Sequence, residues 1–458
     1  MSRQSVRNDR SSQLSFWALS AFLVILWIAG GASRADAAGQ PVVRLSAWII
    51  LLGYVLAVPR FELRKICMPL VFAGVMVLLV AIQLIPLPPD IWTLLPGREM
   101  IASSGLATGE VQPWRPLSVS PSATMNALGS LIVPILVLIL SAALTGKQHW
   151  RIVSLLLGLM VAGSLIGLLQ FSGARFDHPL VNDIAGMVSA NFANRNHFAL
   201  FLATGCSLAM VWALEGQDVW WKMFVGLGIL LFFALMVLAT GSRAGVVLVP
   251  IALALGLFIV WRRAKSEFSR IPRKVAIAFG LTVVVALLGA VMLSVSFDRA
   301  ASIDRVLVLE AGDDQRVKGA PIVVDMIGLY FPAGTGFGTF DPAFRISEPD
   351  SLLGPRYFNH AHNDWLEVIL DGGLLAALLL VTMLIWYFKL SYAAWSRSPG
   401  LGSRIRQLGS VVILLIMVAS IVDYPARTPM IMALVALSSV WLCRDDIGFE
   451  EKGYRKGM

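Results

Sequence analysis

Residues 359–388 read NHAHNDWLEVILDGGLLAALLLVTMLIWYF, a polar cluster followed directly by a long apolar segment. A transmembrane helix needs about 20 consecutive, mostly apolar residues, and the run 366–388 is long enough to form one. The six residues before Trp365 place two imidazoles and three other polar side chains at its start. Such groups are costly beside lipid unless they face a cavity or a substrate. We therefore expect a membrane helix that begins at a catalytic or ligand-binding site.

The whole chain has the composition of a polytopic membrane protein. Hydrophobic residues make up 57% of its 458 residues, charged residues make up 14%, and the mean hydropathy is +0.76. A soluble domain of this size carries fewer apolar residues. The net charge of +9 arises from short basic clusters between apolar runs, which favours membrane topology over nucleic-acid binding. Cys67, Cys206 and Cys443 have neither a disulfide pattern nor metal-ligand spacing.

The apolar runs predict an all-α polytopic fold with about 12 transmembrane helices. The last two candidate spans are short, which is compatible with a tilt or an interruption at Pro425 and Pro429. The spans are predicted near residues 15–32, 42–58, 67–85, 128–145, 152–171, 198–214, 221–239, 244–261, 275–297, 366–388, 409–422 and 429–443.

Lysine and arginine predict the orientation of these spans. If the N-terminus is cytoplasmic, most of the 37 basic residues fall in cytoplasmic segments, as the positive-inside rule requires. Both termini are then cytoplasmic, and His362 lies on the outer face, which is periplasmic in a Gram-negative cell. The N-terminal segment also resembles a cleavable signal, but its apolar run 16–32 is longer than a usual signal core, which favours retention as a span.

Two long loops lie on the outer face in this topology. Loop 86–127 is rich in Pro, Gly and Trp and predicts an ordered cap, whereas loop 298–365 has mixed charge and ends in the histidine cluster. Apolar residues at helical spacing between 317 and 330 predict an amphipathic helix at the interface, or equally one packed against the spans. The run GTGFGTF, 334–340, lacks the flanking elements and lysine of a P-loop, so we interpret it as a tight turn.

A very short turn, TGSRAG at 240–245, holds Arg243 between two apolar runs. An arginine in this position favours anion binding, because its guanidinium matches phosphate and the first amides of the next helix add hydrogen-bond donors. The alternatives are an arginine that extends to lipid headgroups or one that pairs with an acidic neighbour.

Two further polar segments lie on the same predicted face. The segment NFANRNH, 191–197, offers three asparagines with Arg195 and His197, a surface suited to sugar hydroxyls or phosphate, although helix capping explains Asn196 equally well. The turn DYPAR, 423–427, lies between the last two spans, and an ion pair between Asp423 and Arg427 is its simplest interpretation.

Together these motifs resemble the O-antigen ligase and O-antigen polymerase superfamily of bacterial membrane glycosyltransferases. The resemblance rests on the order of TGSRAG, GFGTF and HNDWL followed by Gly372-Gly373 and a span. It implies a GT-C-like fold in the bacterial inner membrane and transfer of a glycan from an undecaprenyl-diphosphate carrier to an acceptor hydroxyl at the periplasmic face. The chain then divides into N-terminal helices 1–190, an O-antigen ligase-like core 191–380, and C-terminal helices with a cytoplasmic tail 381–458.

The resemblance also implies roles for individual residues. His362 directly precedes an asparagine, as the essential histidine of the family does, and Arg243 corresponds to the family's essential arginine. Arg195 is similar to a further basic residue used near the diphosphate, and Arg316 falls where the family carries an arginine. His360 is an addition to the pattern and receives no role from it.

The chemistry of these residues agrees with sugar transfer. A departing diphosphate needs cationic groups such as Arg243 and Arg195. The acceptor hydroxyl must lose a proton, for which the imidazole of His362 is the candidate general base. Asn363 or Asp364 is the expected partner that orients this ring.

Three other polar residues, His360, His197 and Arg427, complete the predicted supporting set. We expect no cofactor and no metal, because the resemblance implies metal independence and Glu348-Pro349-Asp350 reads as a solvated loop. The implied partners are a lipid-linked glycan donor, a glycan or lipid-linked acceptor and the lipid bilayer, with no nucleic acid. Sequence features do not separate a ligase from a polymerase. A transporter of a glycolipid or small solute is the alternative from another class, although few ionisable groups lie at mid-membrane, where alternating access places its site.

Overall fold

The computed structural model describes residues 3–58, 66–107, 109, 111–174, 178–182, 186–216, 219–268, 315–353, 358–396 and 401–443, which are mostly helical. One antiparallel pair of short strands, β1 and β2, joins Pro86 to Pro116 and Leu87 to Arg115. The elements in chain order are α1 Arg3–Ala29, α2 Gly39–Ala57, α3 Cys67–Ile82, β1 Pro86–Leu87, α4 Pro89–Trp92, α5 Glu99–Ala107, β2 Arg115–Pro116, α6 Pro121–Ser130, α7 Ile132–Ala142, α8 Gly146–Phe171, α9 Arg195–Ala213, α10 Val219–Thr240, α11 Arg243–Phe268, α12 Gln315–Tyr330, α13 Phe340–Ser347, α14 Asp364–Ser396, α15 Leu401–Ala419 and α16 Pro429–Cys443.

The described part of the chain contains eight helical segments that are long and apolar enough to cross a membrane. Two shorter apolar helices, α3 and α16, match two more of the predicted spans. These helices confirm the predicted all-α polytopic fold. The predicted span 275–297 lies outside the described residues, so the total of twelve stays a prediction. The eight segments are Arg10–Ala29, Gly39–Ala57, Pro121–Ala142, Gly146–Phe171, Arg195–Ala213, Trp220–Thr240, Arg243–Trp261 and Asp364–Ser396.

The predicted span 128–145 differs in detail from the structure, because α6 and α7 follow one another with a break at Leu131. Pro134 lies in the first turn of α7, where its missing N–H is tolerated. The apolar segment therefore starts earlier than predicted, at Pro121, and consists of two helices.

The central helix of the bundle is α9. In its most apolar window 83% of the residues are buried, whereas no other candidate span exceeds 50%. Its small residues, including Ala199, Ala203 and Gly205, let α10 and α11 approach closely. Because α9 is surrounded by other helices, the polar residues at its first turn are held in place by several neighbouring elements.

The segment between α3 and α6 forms a cap that is tied to the glycine-rich loop 334–340. Arg98 is fully buried in this cap and donates hydrogen bonds to the carbonyl oxygens of Leu117, at 2.7 Å, and of Gly334, at 2.9 Å. Its guanidinium lies 5.4 Å from the ring of Tyr330. Burial lowers the pKa of Arg98 to about 10, so the side chain stays charged at neutral pH. The predicted cap is therefore connected to the second long loop through a buried cation.

Helix α14 is interrupted at Gly373, where the sequence predicts a continuous span. Gly373 has φ 58° and ψ −145°, and a Cβ atom there would collide with the carbonyl oxygen of Pro332. The glycine-rich loop lies against this break and donates to the carbonyls that the helix leaves unpaired. Thr335 N donates to Leu370 O at 3.0 Å, and Gly336 N donates to Asp371 O at 2.8 Å. The loop and the interrupted helix therefore form one unit.

Candidate active site

Four polar segments meet at one end of the helix bundle. They are 191–197 before α9, 240–245 between α10 and α11, 359–371 at the start of α14, and 420–428 between α15 and α16. Direct hydrogen bonds join them: Ser242 Oγ donates to Asn196 Oδ1 at 2.8 Å, and Asn363 Nδ2 donates to Ile421 O at 2.9 Å. Residues that are far apart in sequence thus share one polar region.

The centre of this region is a pair formed by His362 and Asp423. His362 Nδ1 lies 3.2 Å from Asp423 Oδ1, and the exposed fractions of the two side chains are 17% and 2%. An ionised carboxylate accepts hydrogen bonds only, so a neutral His362 ring carries its proton on Nδ1 and keeps a lone pair on Nε2. Nε2 makes no hydrogen bond to any residue in the described ranges. The pair has the form of a general base held by a carboxylate.

Asp423 is itself fixed by several donors. Its Oδ2 atom accepts from Asn194 Nδ2 at 3.0 Å and from Asn196 Nδ2 at 2.6 Å, while Oδ1 accepts from the backbone N–H of Tyr424 at 3.0 Å. These bonds leave the carboxylate little freedom to rotate. The asparagines at the start of α9 therefore hold Asp423 in place, and Asp423 in turn orients the His362 ring.

The structure gives Asn363 and Asp364 other partners than the predicted imidazole. Asn363 caps α14, because its Oδ1 atom accepts from the N–H of Leu366 at 3.1 Å. Asp364 Oδ2 accepts from Ser420 Oγ at 2.9 Å and from Ala426 N at 3.1 Å. Both residues lie at the start of α14, so their oxygens accept hydrogen bonds from nearby amide and hydroxyl groups. The prediction that one of them orients His362 was wrong, since Asp423 occupies that place.

The predicted ion pair between Asp423 and Arg427 was also wrong. Arg427 instead contacts three carboxylates on one face of α14: Nη2 lies 3.1 Å from Glu367 Oε1 and 3.2 Å from Asp371 Oδ2, and Nε lies 3.6 Å from Asp364 Oδ1. Burial alone would lower the pKa of Arg427, but these carboxylates outweigh it and raise the pKa above its ordinary value. Arg427 therefore remains a cation at the centre of a buried acidic cluster.

His197 is buried in the protein and does not lie on the surface of the site. Its ring is 2% exposed, and Nδ1 lies 2.9 Å from Thr428 Oγ1. Its neighbour Asn194 caps α9, since Asn194 Oδ1 accepts from the N–H of Asn196 at 2.8 Å. Most of the polar surface that 191–197 offers in sequence is thus used inside the protein, to join α9 to the turn 420–428.

The two predicted diphosphate ligands adjoin Asn196 and Ser242 in the sequence, and these two residues are hydrogen-bonded to each other. Arg195 is the first residue of α9 and is partly exposed, and Arg243 is the first residue of α11 and is exposed. Ser242 caps α11, because its Oγ atom accepts from the N–H of Gly245 at 3.1 Å. The N-termini of α9, α11 and α14 all lie at this end, and each contributes a partial positive charge that favours an anion.

His360 forms a second pair with a carboxylate, which the sequence did not reveal. Its Nδ1 atom lies 2.8 Å from Glu367 Oε1, and its ring centroid lies 4.3 Å from that of Tyr424. The His362 ring lies 4.9 Å from the same tyrosine ring. Tyr424 therefore contacts both imidazoles.

Arg316, the remaining predicted site residue, falls in the first turn of α12, and its side chain lies outside the described part of the structure. Sequence reasoning missed the acidic residues Glu367 and Asp371. Glu367 follows Asp364 by three residues and Asp371 follows Glu367 by four, a spacing that places all three on one helix face and was a usable signal. In the described ranges, no group of three or more His, Cys, Asp or Glu side chains is arranged to hold a metal ion.

The fold and the polar end of the bundle define a multi-pass membrane protein of the all-α class. Residues 227–381 match the family model described as O-antigen ligase, a region that includes Arg243, His360 and His362. The match confirms the resemblance to the O-antigen ligase and polymerase superfamily and supports an O-antigen ligase- or polymerase-like bacterial membrane enzyme. The family implies the lipid bilayer as its location and lipid-linked glycans as its class of substrate. No curated protein matches the chain. Arg195 and Asp423 lie outside the matched region.

Proposed function

We propose that the protein is a glycosyltransferase that moves a glycan from an undecaprenyl-diphosphate carrier to an acceptor hydroxyl at the periplasmic face of the inner membrane. The observation that carries the proposal is the 3.2 Å contact between His362 Nδ1 and Asp423 Oδ1, which leaves Nε2 as a proton acceptor. The family match supports a lipid-linked glycan as the class of substrate. We further propose that the reaction needs no metal, as the resemblance to the family implies.

In the proposed reaction, the acceptor hydroxyl donates its proton to His362 Nε2 while its oxygen attacks the anomeric carbon of the donor sugar. The bond between that carbon and the diphosphate oxygen breaks, and the electron pair leaves with the diphosphate. Asp423 stabilises the imidazolium that forms, as a buried carboxylate does for other catalytic histidines. Arg195, Arg243 and the adjacent helix N-termini stabilise the negative charge on the leaving group. A single displacement of this kind inverts the anomeric centre.

The first prediction concerns the two members of the central pair. We expect His362→Ala to lower kcat by about 10²- to 10⁴-fold, the usual contribution of a general base. Asp423→Asn should cause a loss of similar size, because an amide donor beside Nδ1 favours the wrong tautomer of His362. The assay uses detergent-purified protein, lipid-linked glycan extracted from a deletion strain as donor, acceptor membranes of the same strain, and EDTA throughout.

Arg243→Ala tests the proposed anion site in the same assay, and Asp350→Asn, on an exposed stretch, is the matched control that should keep full activity. Wild-type activity in both His362→Ala and Arg243→Ala would contradict the proposed mechanism. Restoration of transfer only by added magnesium or manganese would contradict metal independence. A thermal midpoint equal to that of the wild type separates lost chemistry from lost folding.

The acceptor distinguishes a ligase, which we favour, from a polymerase. A ligase transfers a finished glycan to a terminal acceptor such as a lipid A core, whereas a polymerase extends a growing chain. In the deletion strain, full-length glycan stranded on the carrier identifies a ligase. Loss of chain length identifies a polymerase of glycan or exopolysaccharide.

A further inference from the structure

The second imidazole of the site, His360, is held in the same manner as the proposed base. Its Nδ1 atom lies 2.8 Å from Glu367 Oε1, as His362 Nδ1 lies beside Asp423. The two side chains have similar exposed fractions, 14% for His360 and 17% for His362. A histidine that served only to fill the core would not retain this exposure beside a carboxylate that is fully buried.

The free nitrogen of His360 is available to a ligand. Nε2 makes no hydrogen bond to any residue that the structure describes, and it is not among the buried unsatisfied atoms. Contact with Tyr424, at 4.3 Å between ring centroids, fixes the plane of the ring. The nitrogen therefore has a defined direction before a substrate arrives.

The protonation of this ring follows from its partners. Glu367 accepts from the N–H of Ala361 at 2.8 Å and lies 3.1 Å from Arg427 Nη2, so its carboxylate is stabilised in the ionised form. An ionised Glu367 only accepts, which places the proton of a neutral His360 on Nδ1. Nε2 is then a hydrogen-bond acceptor, and its natural partner in a sugar-binding site is a hydroxyl donor.

The shared contact with Tyr424 places the second acceptor close to the first. Both imidazole centroids lie within 5 Å of one tyrosine ring, at 4.3 Å and 4.9 Å. Both imidazoles therefore lie against the same tyrosine ring in one site. The environments of the two rings differ, however. Asp423 is hydrogen-bonded through Asn196 to Ser242, the sequence neighbours of Arg195 and Arg243, whereas Glu367 belongs to the acidic cluster around Arg427.

We propose that His360 Nε2 binds a second hydroxyl of the acceptor sugar, while His362 takes the proton of the hydroxyl that attacks. The site therefore selects acceptor sugars that keep a second hydroxyl free on the same residue as the linkage. This inference rests on the proposed glycosyltransferase function and adds the substrate feature that the enzyme recognises. His360 is a substrate-binding residue in this scheme and transfers no proton.

The test combines changes in the protein with changes in the acceptor. Linkage analysis of the wild-type product first identifies the acceptor sugar, and the probes are its octyl glycoside and the monodeoxy analogues at each remaining hydroxyl. For the wild type, we expect one analogue to lose about 10- to 100-fold in kcat/KM, the effect of covering an acceptor atom with a sugar that offers it no donor. With the parent glycoside, the kcat/KM of His360→Ala should be lower than that of the wild type by a similar factor. Removal of the same hydroxyl from the acceptor should lower the kcat/KM of His360→Ala no further.

The ratio of rates for parent and deoxy acceptors does not depend on the fraction of folded enzyme, so partial misfolding of His360→Ala leaves the result readable. His360→Gln places an amide oxygen near the position of Nε2 and should recover part of the discrimination. His178→Ala, which changes a histidine outside the four polar segments of the site, should discriminate as the wild type does. Two results would overturn the inference. One is an equal loss of kcat/KM by His360→Ala with every acceptor, and the other is a wild type that uses all analogues with the same kcat/KM.

Failure of the underlying function has a different signature. A wild type that forms no glycoside from the lipid-linked donor, or full transfer by His362→Ala, overturns the proposed function and this inference together. Transfer that depends on His362 but shows no hydroxyl selectivity through His360 overturns only the inference.

Discussion

At the scale of single residues, the backbone of His362 is as informative as its ring. His362 has φ 51°, and Ala190 is the other non-glycine residue with positive φ in the described ranges. The left-handed region costs an L-residue about 1–2 kcal/mol, and such residues are frequent at functional sites. Here the conformation turns the chain into α14 while the imidazole stays beside Asp423.

This backbone leads to a prediction about stability. We expect His362→Gly to be more stable than His362→Ala by about 1 kcal/mol. Glycine adopts positive φ without the steric cost of a Cβ atom, and this gain exceeds the extra conformational entropy that glycine loses on folding. Thermal midpoints of the two variants in one detergent measure the difference. At Thr382, an exposed helical position, the order should reverse, with glycine about 1 kcal/mol below alanine. A lower midpoint for His362→Gly would show that the left-handed backbone carries no strain.

The sequence indicated several residues that the structure brings to one end of the bundle, including both imidazoles, Arg195 and Arg243. Their roles in catalysis stay predictions. Asp423 could not be assigned to His362 in advance, because the two residues are separated by 61 positions and meet only through the packing of α14 and α15. The pair Asp423 and Arg427 looked complementary in sequence. In the folded protein, however, Arg427 is buried and contacts three carboxylates of α14.

At the scale of secondary-structure elements, the break in α14 is the feature that organises the site. Leu374 N donates to Pro332 O at 3.0 Å, and Gly338 N donates to Asp371 Oδ2 at 3.0 Å. The glycine-rich loop thereby positions Asp371, one of the three carboxylates around Arg427. The loop, the broken helix and the acidic cluster depend on one another.

We predict that Gly373→Ala disrupts this unit. The φ and ψ of Gly373 are nearly exclusive to glycine, and the added Cβ atom would collide with the backbone of Pro332, so the free energy of unfolding should fall by at least about 2 kcal/mol. Yield and thermal midpoint after purification measure the effect. Gly158→Ala in α8, where a Cβ atom meets nothing within 4 Å, is the matched control and should be neutral or stabilising. Equal behaviour of the two variants would contradict the role of the break.

Hydropathy located the helices well, since most predicted spans coincide with a helix in the described ranges. It did not find the break at Gly373, because the apolar run continues through the glycine pair. That interruption depends on a loop from another part of the chain, whose N–H groups replace the lost helical bonds. The split between α6 and α7 escaped detection for another reason: the polar residues Ser122, Thr124 and Asn126 in α6 led the predicted span to begin only at 128.

At the scale of the whole molecule, the orientation in the membrane is the untested prediction on which the periplasmic site depends. After replacement of Cys67, Cys206 and Cys443 by alanine, single cysteines would be placed at Arg345, near the site, and at Arg151, in the first turns of α8 at the opposite end. Both positions are exposed. Positive-inside topology predicts that a membrane-impermeant maleimide labels R345C in spheroplasts, and labels R151C only after the inner membrane is permeabilised. The reverse pattern would move the site to the cytoplasm.

The position of Asp423 in the turn between α15 and α16 also has a consequence for the order of assembly. A ribosome completes His362 before it completes Asp423, so a partly inserted chain holds the imidazole without the carboxylate that orients it. On the proposed mechanism, a copy that has inserted α14 stays inert until the turn between α15 and α16 has reached the site. Carrier lipids nearby are therefore not consumed by such unfinished copies.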